Sequence, residues 1–165
     1  MNKMVNKNKN QSSEKILSIQ GLSIDLPTGA DRKFAVENAS LNVNRGEILC
    51  IVGESGSGKS VLTSAILNDV PIRLKISSGK IFFNGENILE FNEEKLNEIR
   101  GNRISMIYQE PMAALNPAMK IGFQLDEVFQ LHRKEINKDQ RKLESLKLLE
   151  QMQLPSPDRI YSSYP

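Results

Sequence analysis

Leu22, Ile24 and Leu26 alternate with polar neighbours, and Ala39, Leu41 and Val43 repeat the alternation further on. Successive side chains of a strand point to opposite faces, so this period of two predicts half-buried strands and a front of antiparallel sheet. The turn Asn44-Arg45-Gly46 leads into Ile48-Leu49-Cys50-Ile51-Val52. That unbroken apolar run predicts a strand covered on both faces, as in the middle of a parallel sheet. Beyond a glycine-rich loop, Leu62, Ala65 and Ile66 recur at helical spacing, and the pattern stops before Pro71, which disfavours helix in the residue ahead of it.

Ile81-Phe82-Phe83 predicts another strand, and Asn84-Gly85 tolerates the positive φ angles of a tight hairpin turn before Ile88 and Leu89. A short helix is expected next. Asn92 can cap its orphan amides, Glu93 and Glu94 complement the positive end of its dipole, and Gly101 can close it in the left-handed conformation. Ile104 to Tyr108 reads as a further short strand, followed by a loop, PMAALNP, punctuated by Pro111 and Pro117. Asn137 and Gln140 have the spacing of a capping box, and Leu143, Leu146, Leu149 and Met152 predict one apolar helix face packed in the core.

Composition narrows the class. A chain of 165 residues, 39% hydrophobic and 25% charged, has apolar material for one core. Its net charge of +2 is too small to argue for nucleic acid. Lys3, Lys7, Lys9 and Lys15 are spread through an Asn-rich start, and residues 1–14 read as a disordered, solvated tail. The first ten residues hold no apolar segment, so a cleaved secretion signal is not expected, and no apolar run is long enough to span a bilayer. The lone cysteine, Cys50, is expected as a reduced thiol buried in the apolar run, which excludes a disulfide or zinc framework.

The chemistry is concentrated in Gly53-Glu54-Ser55-Gly56-Ser57-Gly58-Lys59-Ser60, which fits G-x-x-x-x-G-K-[ST] between a predicted strand and an amphipathic helix. Glycines at 53, 56 and 58 let the backbone fold tightly around an anion, with successive N–H groups and the helix N-terminus aimed at the β-phosphate of a nucleotide. Lys59 would neutralise the β- and γ-phosphates. Ser60 would offer its hydroxyl to Mg²⁺. This motif alone does not choose among kinases, GTPases, helicases and transport ATPases, which hold phosphate in the same way.

A second landmark is Gln109, a polar amide at the carboxyl end of the predicted strand Ile104 to Tyr108, opening the loop QEPMAALNP. The stretches GESGSGKSV and IRGNRISMIYQEPMAALNP, with Tyr164-Pro165 at the end, resemble the ATP-binding subunits of ATP-binding-cassette (ABC) importers for oligopeptides, dipeptides, nickel, glutathione or microcin C. The resemblance covers about residues 15 to 165. It implies an α/β fold, the P-loop NTPase core of an ABC ATPase, with an N-terminal antiparallel β subdomain and P-loop core over 15–119 and the start of a helical subdomain over 120–165. By the same resemblance, Gln109 contacts Mg²⁺ and the attacking water, ATP and Mg²⁺ are the cofactors, and two cassettes dimerise head to tail. Transmembrane permease subunits would be direct partners and an extracytoplasmic solute-binding protein an indirect one, with no nucleic acid. The implied location is the cytoplasmic face of the cell (inner) membrane, as a peripheral subunit.

The sequence departs from that family pattern in two ways. The family places an aromatic residue ahead of the phosphate loop to stack on adenine; Phe34 is the candidate here, and an exposed or buried strand-end Phe is the other reading of it. The family follows its Tyr-Pro with an LSGGQ-type signature, a Walker B strand bearing an Asp and a catalytic Glu, and a switch histidine, none of which is in these 165 residues. His132, the one histidine, precedes the expected signature and reads as a surface or packing residue. The chain is therefore expected to be truncated before the signature, to supply the phosphate-loop and Q-loop half of a site, and to hydrolyse ATP poorly alone. It is also expected to expose unpaired strand edges and apolar helix faces. An inactive nucleotide-binding fragment and a non-transport ABC ATPase are the alternative readings.

Overall fold

A computed structural model describes residues 14–165, so the polar tail, apart from Glu14, lies outside the described residues. The chain divides into two compact units, one ending at Leu96 and the other running Asn97–Pro165.

In the first unit, strands β1 (Lys15–Asp25), β2 (Phe34–Asn44), β3 (Lys75–Phe83) and β4 (Glu86–Asn87) form an antiparallel sheet in the order β2-β1-β3-β4. Strand β1 is central, pairing Ile19 with Leu41 on one side and with Ile81 on the other. Strict alternation could not bury both Ile19 and Leu22, which are three residues apart. The register shifts between them, and Gly21 takes φ 58° at that bulge, so Ile19, Leu22 and Ile24 all reach the core. Ile81, Phe83, Ile88 and Leu96 complete the apolar layer. Residues of β2 named from the alternation, Ala39, Leu41 and Val43, are half-buried as expected. The hairpin forms as the sequence predicts: Asn84 has φ 49°, Gly85 has φ 86°, and Phe83 pairs with Glu86 across them. Helix α1 (Lys59–Ile66) turns Leu62 and Ala65 inward.

Helix α2 (Glu93–Ile99) begins at the expected cap, with the Lys95 N–H donating to Asn92 Oδ1 at 2.9 Å. Gly101, at φ 76°, follows it in the left-handed region. The second unit is built on α3 (Ile121–His132), α4 (Lys138–Gln151) and α5 (Pro157–Ser162). Asn137 and Gln140 form the reciprocal capping box: Gln140 N–H donates to Asn137 Oδ1 at 3.0 Å, and Asn137 N–H donates to Gln140 Oε1 at 2.9 Å. Gly122 is where α3 meets α5, since a β-carbon there would lie 2.5 Å from the Tyr161 ring and 2.6 Å from its carbonyl oxygen. Arg141 Nε donates to Asp126 at 2.7 Å in a mostly buried ion pair. Burial, with the Asp126 carboxylate nearby, raises the Tyr161 phenol above its ordinary pKa, and Arg141 partly opposes the shift.

Three expectations are corrected. Ile48 to Val52 forms no strand; Ile48 is 97% and Val52 88% exposed, and Cys50 is exposed with them. A central parallel strand needs a hydrogen-bonded neighbour on each side, and no described segment pairs with this run. Ile104 to Tyr108 is likewise not a strand. It makes one isolated bridge, Arg100 to Ile104, and Ile107 is 92% exposed. In α4 the buried residues are Ser145 and Leu149, while Leu143 and Met152 are exposed. A repeat of three residues drifts by about 60° per step around an α-helix, so the four apolar residues wind across its surface rather than sharing one face.

Candidate phosphate-binding site

Residues 55–56 form a turn and 57–58 a bend before α1 begins at Lys59. Gly56 has φ 78° and Gly58 has φ 88°, conformations that cost an L side chain about 1–2 kcal/mol. Gly58 has a second constraint: a β-carbon there would sit 2.2 Å from the Ala35 carbonyl oxygen and 3.2 Å from Val36 Cγ2. The loop therefore lies directly on the start of β2, and only glycine permits that approach. At the other end, the Ser57 N–H makes a long bond of 3.2 Å to the Glu54 carbonyl.

Lys59 bends back over the loop. Its ammonium donates to the carbonyl oxygens of Gly53 at 2.7 Å and Glu54 at 2.6 Å, and to Ser57 Oγ at 3.3 Å. Ser55 and Ser60 are exposed. Beside the loop lies an open cavity of about 710 Å³ whose lining includes Phe34, Val36, Gly53, Ser57, Gly58 and Lys59. Phe34, the first residue of β2, is half-buried, and the Lys33 ammonium stands 4.7 Å from its ring centroid. The structure thus brings Gly53, Ser57, Gly58 and Lys59 of the phosphate loop to one cavity with Phe34, while Glu54, Ser55, Gly56 and Ser60 do not line it. Glycine backbone in the left-handed region, a weakly held N–H, a cation and an exposed hydroxyl in the first helical turn together suit a polyphosphate and its Mg²⁺.

Gln109 belongs to the second unit, where it is exposed and borders a cavity of about 620 Å³ with Tyr108, Glu110 and Ala114. The loop after it is held at its far end by Gln124 of α3. The Gln124 amide accepts from the Asn116 N–H at 2.9 Å and donates to the carbonyls of Asn116 at 3.1 Å and Met119 at 2.9 Å. His132, at the end of α3, is half-buried beside Gly101, which accords with a packing role.

One residue at the loop escaped the sequence reading. Arg32 lines the cavity and its Nη2 donates to the Gly56 carbonyl at 2.6 Å. The available signal was the basic pair Arg32-Lys33 just ahead of the strand that begins at Phe34.

Known proteins resemble this chain over most of its length. The chain is 38% identical over 154 residues to the dipeptide transport ATP-binding protein DppD of Lactococcus lactis subsp. cremoris, matching 93% of this chain and 44% of that protein. It is 36% identical to the oligopeptide transport ATP-binding protein OppD of Bacillus subtilis, over 92% of this chain and 42% of that protein. The chain thus spans less than half the length of these relatives. The fold matches the ATP-binding cassette MJ0796, solved as a dimer in a post-hydrolysis state bound to ADP and Pi, with a TM-score of 0.73 and 20% identity over 90% of this chain and 61% of that one. A family model described as ABC transporter matches residues 36–163, from the strand beside the phosphate loop to the last helix, and by that match this chain is a member of the ABC transporter family.

Proposed function

We propose that this chain is the phosphate-loop part of an ATPase that binds and hydrolyses MgATP to power import of peptides or peptide-like solutes. The observation that carries the reading is the glycine loop Gly53–Ser60 opening onto α1, with the Lys59 ammonium at its centre and the cavity beside it. Anion binding exchanges the Lys59 bonds to Gly53 and Glu54 for bonds to the β- and γ-phosphates. The loop N–H groups, Ser57 included, orient the β-phosphate. Phe34 stacks on adenine from its place at the cavity. Ser60 and, by the family resemblance, Gln109 are the side chains that would hold Mg²⁺, and the ion would supply positive charge against the phosphates during transfer. Gln109 also positions the attacking water.

The transport assignment is supported by the names of the dipeptide and oligopeptide transport relatives. The partners proposed are a second ATPase domain in a head-to-tail dimer, transmembrane permease subunits and, indirectly, an extracytoplasmic solute-binding protein. No helix among the described residues is long and apolar enough to cross a membrane, and the proposed location is peripheral, on the cytoplasmic face of the inner membrane. The helices from residue 120 onward are proposed to begin the helical subdomain. Alone, this chain is proposed to hold MgATP but turn it over slowly, because phosphoryl transfer depends on positioning and charge stabilisation that a phosphate loop supplies only in part.

Calorimetry of MgATP binding to the 165-residue chain and to Lys59→Ala tests the reading, with phosphate release followed in parallel. Saturable binding that Lys59→Ala weakens at least tenfold, with little release, is expected. Binding indifferent to Lys59 would refute the assignment of the loop.

A further inference from the structure

A peptide group is planar and trans, so its C=O and N–H point in opposite directions, and fixing one aims the other. In the phosphate loop, the carbonyl of Gly56 and the N–H of Ser57 belong to the same peptide group. Arg32 holds that carbonyl at 2.6 Å, a charge-assisted hydrogen bond spanning 24 residues of sequence. The N–H on the other side makes only the 3.2 Å bond to Glu54, weak enough to be given up to a better acceptor. Gly56 itself sits at φ 78° with nothing within 4 Å of where a β-carbon would be, so no neighbour packs against that side of the residue. Arg32 supplies the fixed point.

We propose that Arg32 is a positioning residue of the phosphate site, which holds the Gly56–Ser57 peptide group so that the Ser57 N–H is presented to the bound phosphate. The inference rests on the proposed nucleotide-binding role of the loop and adds a residue outside its motif. The ligand class it serves is a polyphosphate, free or as part of a nucleotide, since the group oriented is an anion-binding amide. Without Arg32 the glycine peptide rotates among several orientations, and binding must select the competent one.

The test compares the wild-type chain with Arg32→Ala and Arg32→Lys. MgATP and inorganic tripolyphosphate are titrated by calorimetry, and the Ser57 amide resonance is followed by ¹⁵N–¹H spectroscopy without ligand. Arg32→Ala is expected to weaken both ligands by about tenfold, with the melting temperature unchanged. Arg32→Lys keeps a cationic donor and is expected to recover affinity to within roughly threefold of wild type. The Ser57 resonance should move in Arg32→Ala and return toward its wild-type position in Arg32→Lys. Wild-type affinity in Arg32→Ala, or an unmoved Ser57 resonance, overturns this inference and leaves the proposed function standing. A wild-type chain that takes neither ligand overturns both.

Discussion

Gly58→Ala separates two costs that glycine avoids in this loop. The first is conformational: at φ 88° an alanine loses about 1–2 kcal/mol relative to glycine. The second is contact, because the new methyl would lie 2.2 Å from the Ala35 carbonyl oxygen and the loop must lift from β2 to relieve it. Overpacking of this kind costs about 1–3 kcal/mol. The sum is about 3 kcal/mol against the receptive loop, and at about 1.4 kcal/mol per tenfold the apparent MgATP affinity falls by roughly two decades. Gly56→Ala is the internal control. Its φ of 78° carries the same conformational cost, but nothing lies within 4 Å of its β-carbon, so its loss should stop at roughly fivefold to thirtyfold. Calorimetric titration of both variants, with thermal melts to exclude unfolding, gives the ratio directly. Equal losses in the two variants would mean that the loop does not rest on β2, and the contact argument would fail.

Gly122→Ala drives a methyl into the Tyr161 ring and carbonyl, and urea denaturation should show a loss of about 1–3 kcal/mol; an unchanged midpoint would refute the close packing of α3 on α5. Asn137→Ala removes one half of the capping box and should cost about 1 kcal/mol in the same assay, with Asn137→Asp close to wild type. Burial raises the Tyr161 phenol above its ordinary pKa, so the folded state holds the phenol proton more tightly than the unfolded state does. That contribution is complete below pH 10 and is lost as pH rises through the folded pKa. Urea melts across the alkaline range should therefore lose stability in the wild type with a steeper slope than in Tyr161→Phe, and identical slopes would contradict the shift.

Features carried by neighbours in sequence were legible before the structure. Asn84-Gly85, the Asn92 cap, the Asn137–Gln140 box and the phosphate loop each depend on a few adjacent residues whose chemistry fixes their backbone. Features that need a distant partner were not. The run Ile48 to Val52 has the composition of a buried strand, yet composition says nothing of what pairs with it, and without a partner it stands exposed. Ser145 is buried and Leu143 exposed because the angular position around α4, not polarity, decides which residue faces inward. The bulge at Gly21 inverted the phase of β1 and brought in Ile19, which the alternation of Leu22 and Ile24 leaves out. Arg32 was hidden for a related reason: its partner, Gly56, lies 24 residues away and is recognised through a carbonyl that every residue type possesses.

The amide of Gln124 is joined to the backbone of Asn116 and Met119 at three points. Each hydrogen bond holds within a limited range of distance and angle, and three on one amide fix the segment closely to the helix. A pull on the chain at Asn116 therefore reaches α3 by two routes, through the Gln124 side chain and along residues 117–120. The doubled connection stiffens the segment, so a displacement arriving from the Gln109 side has little slack to take up before it reaches the helix.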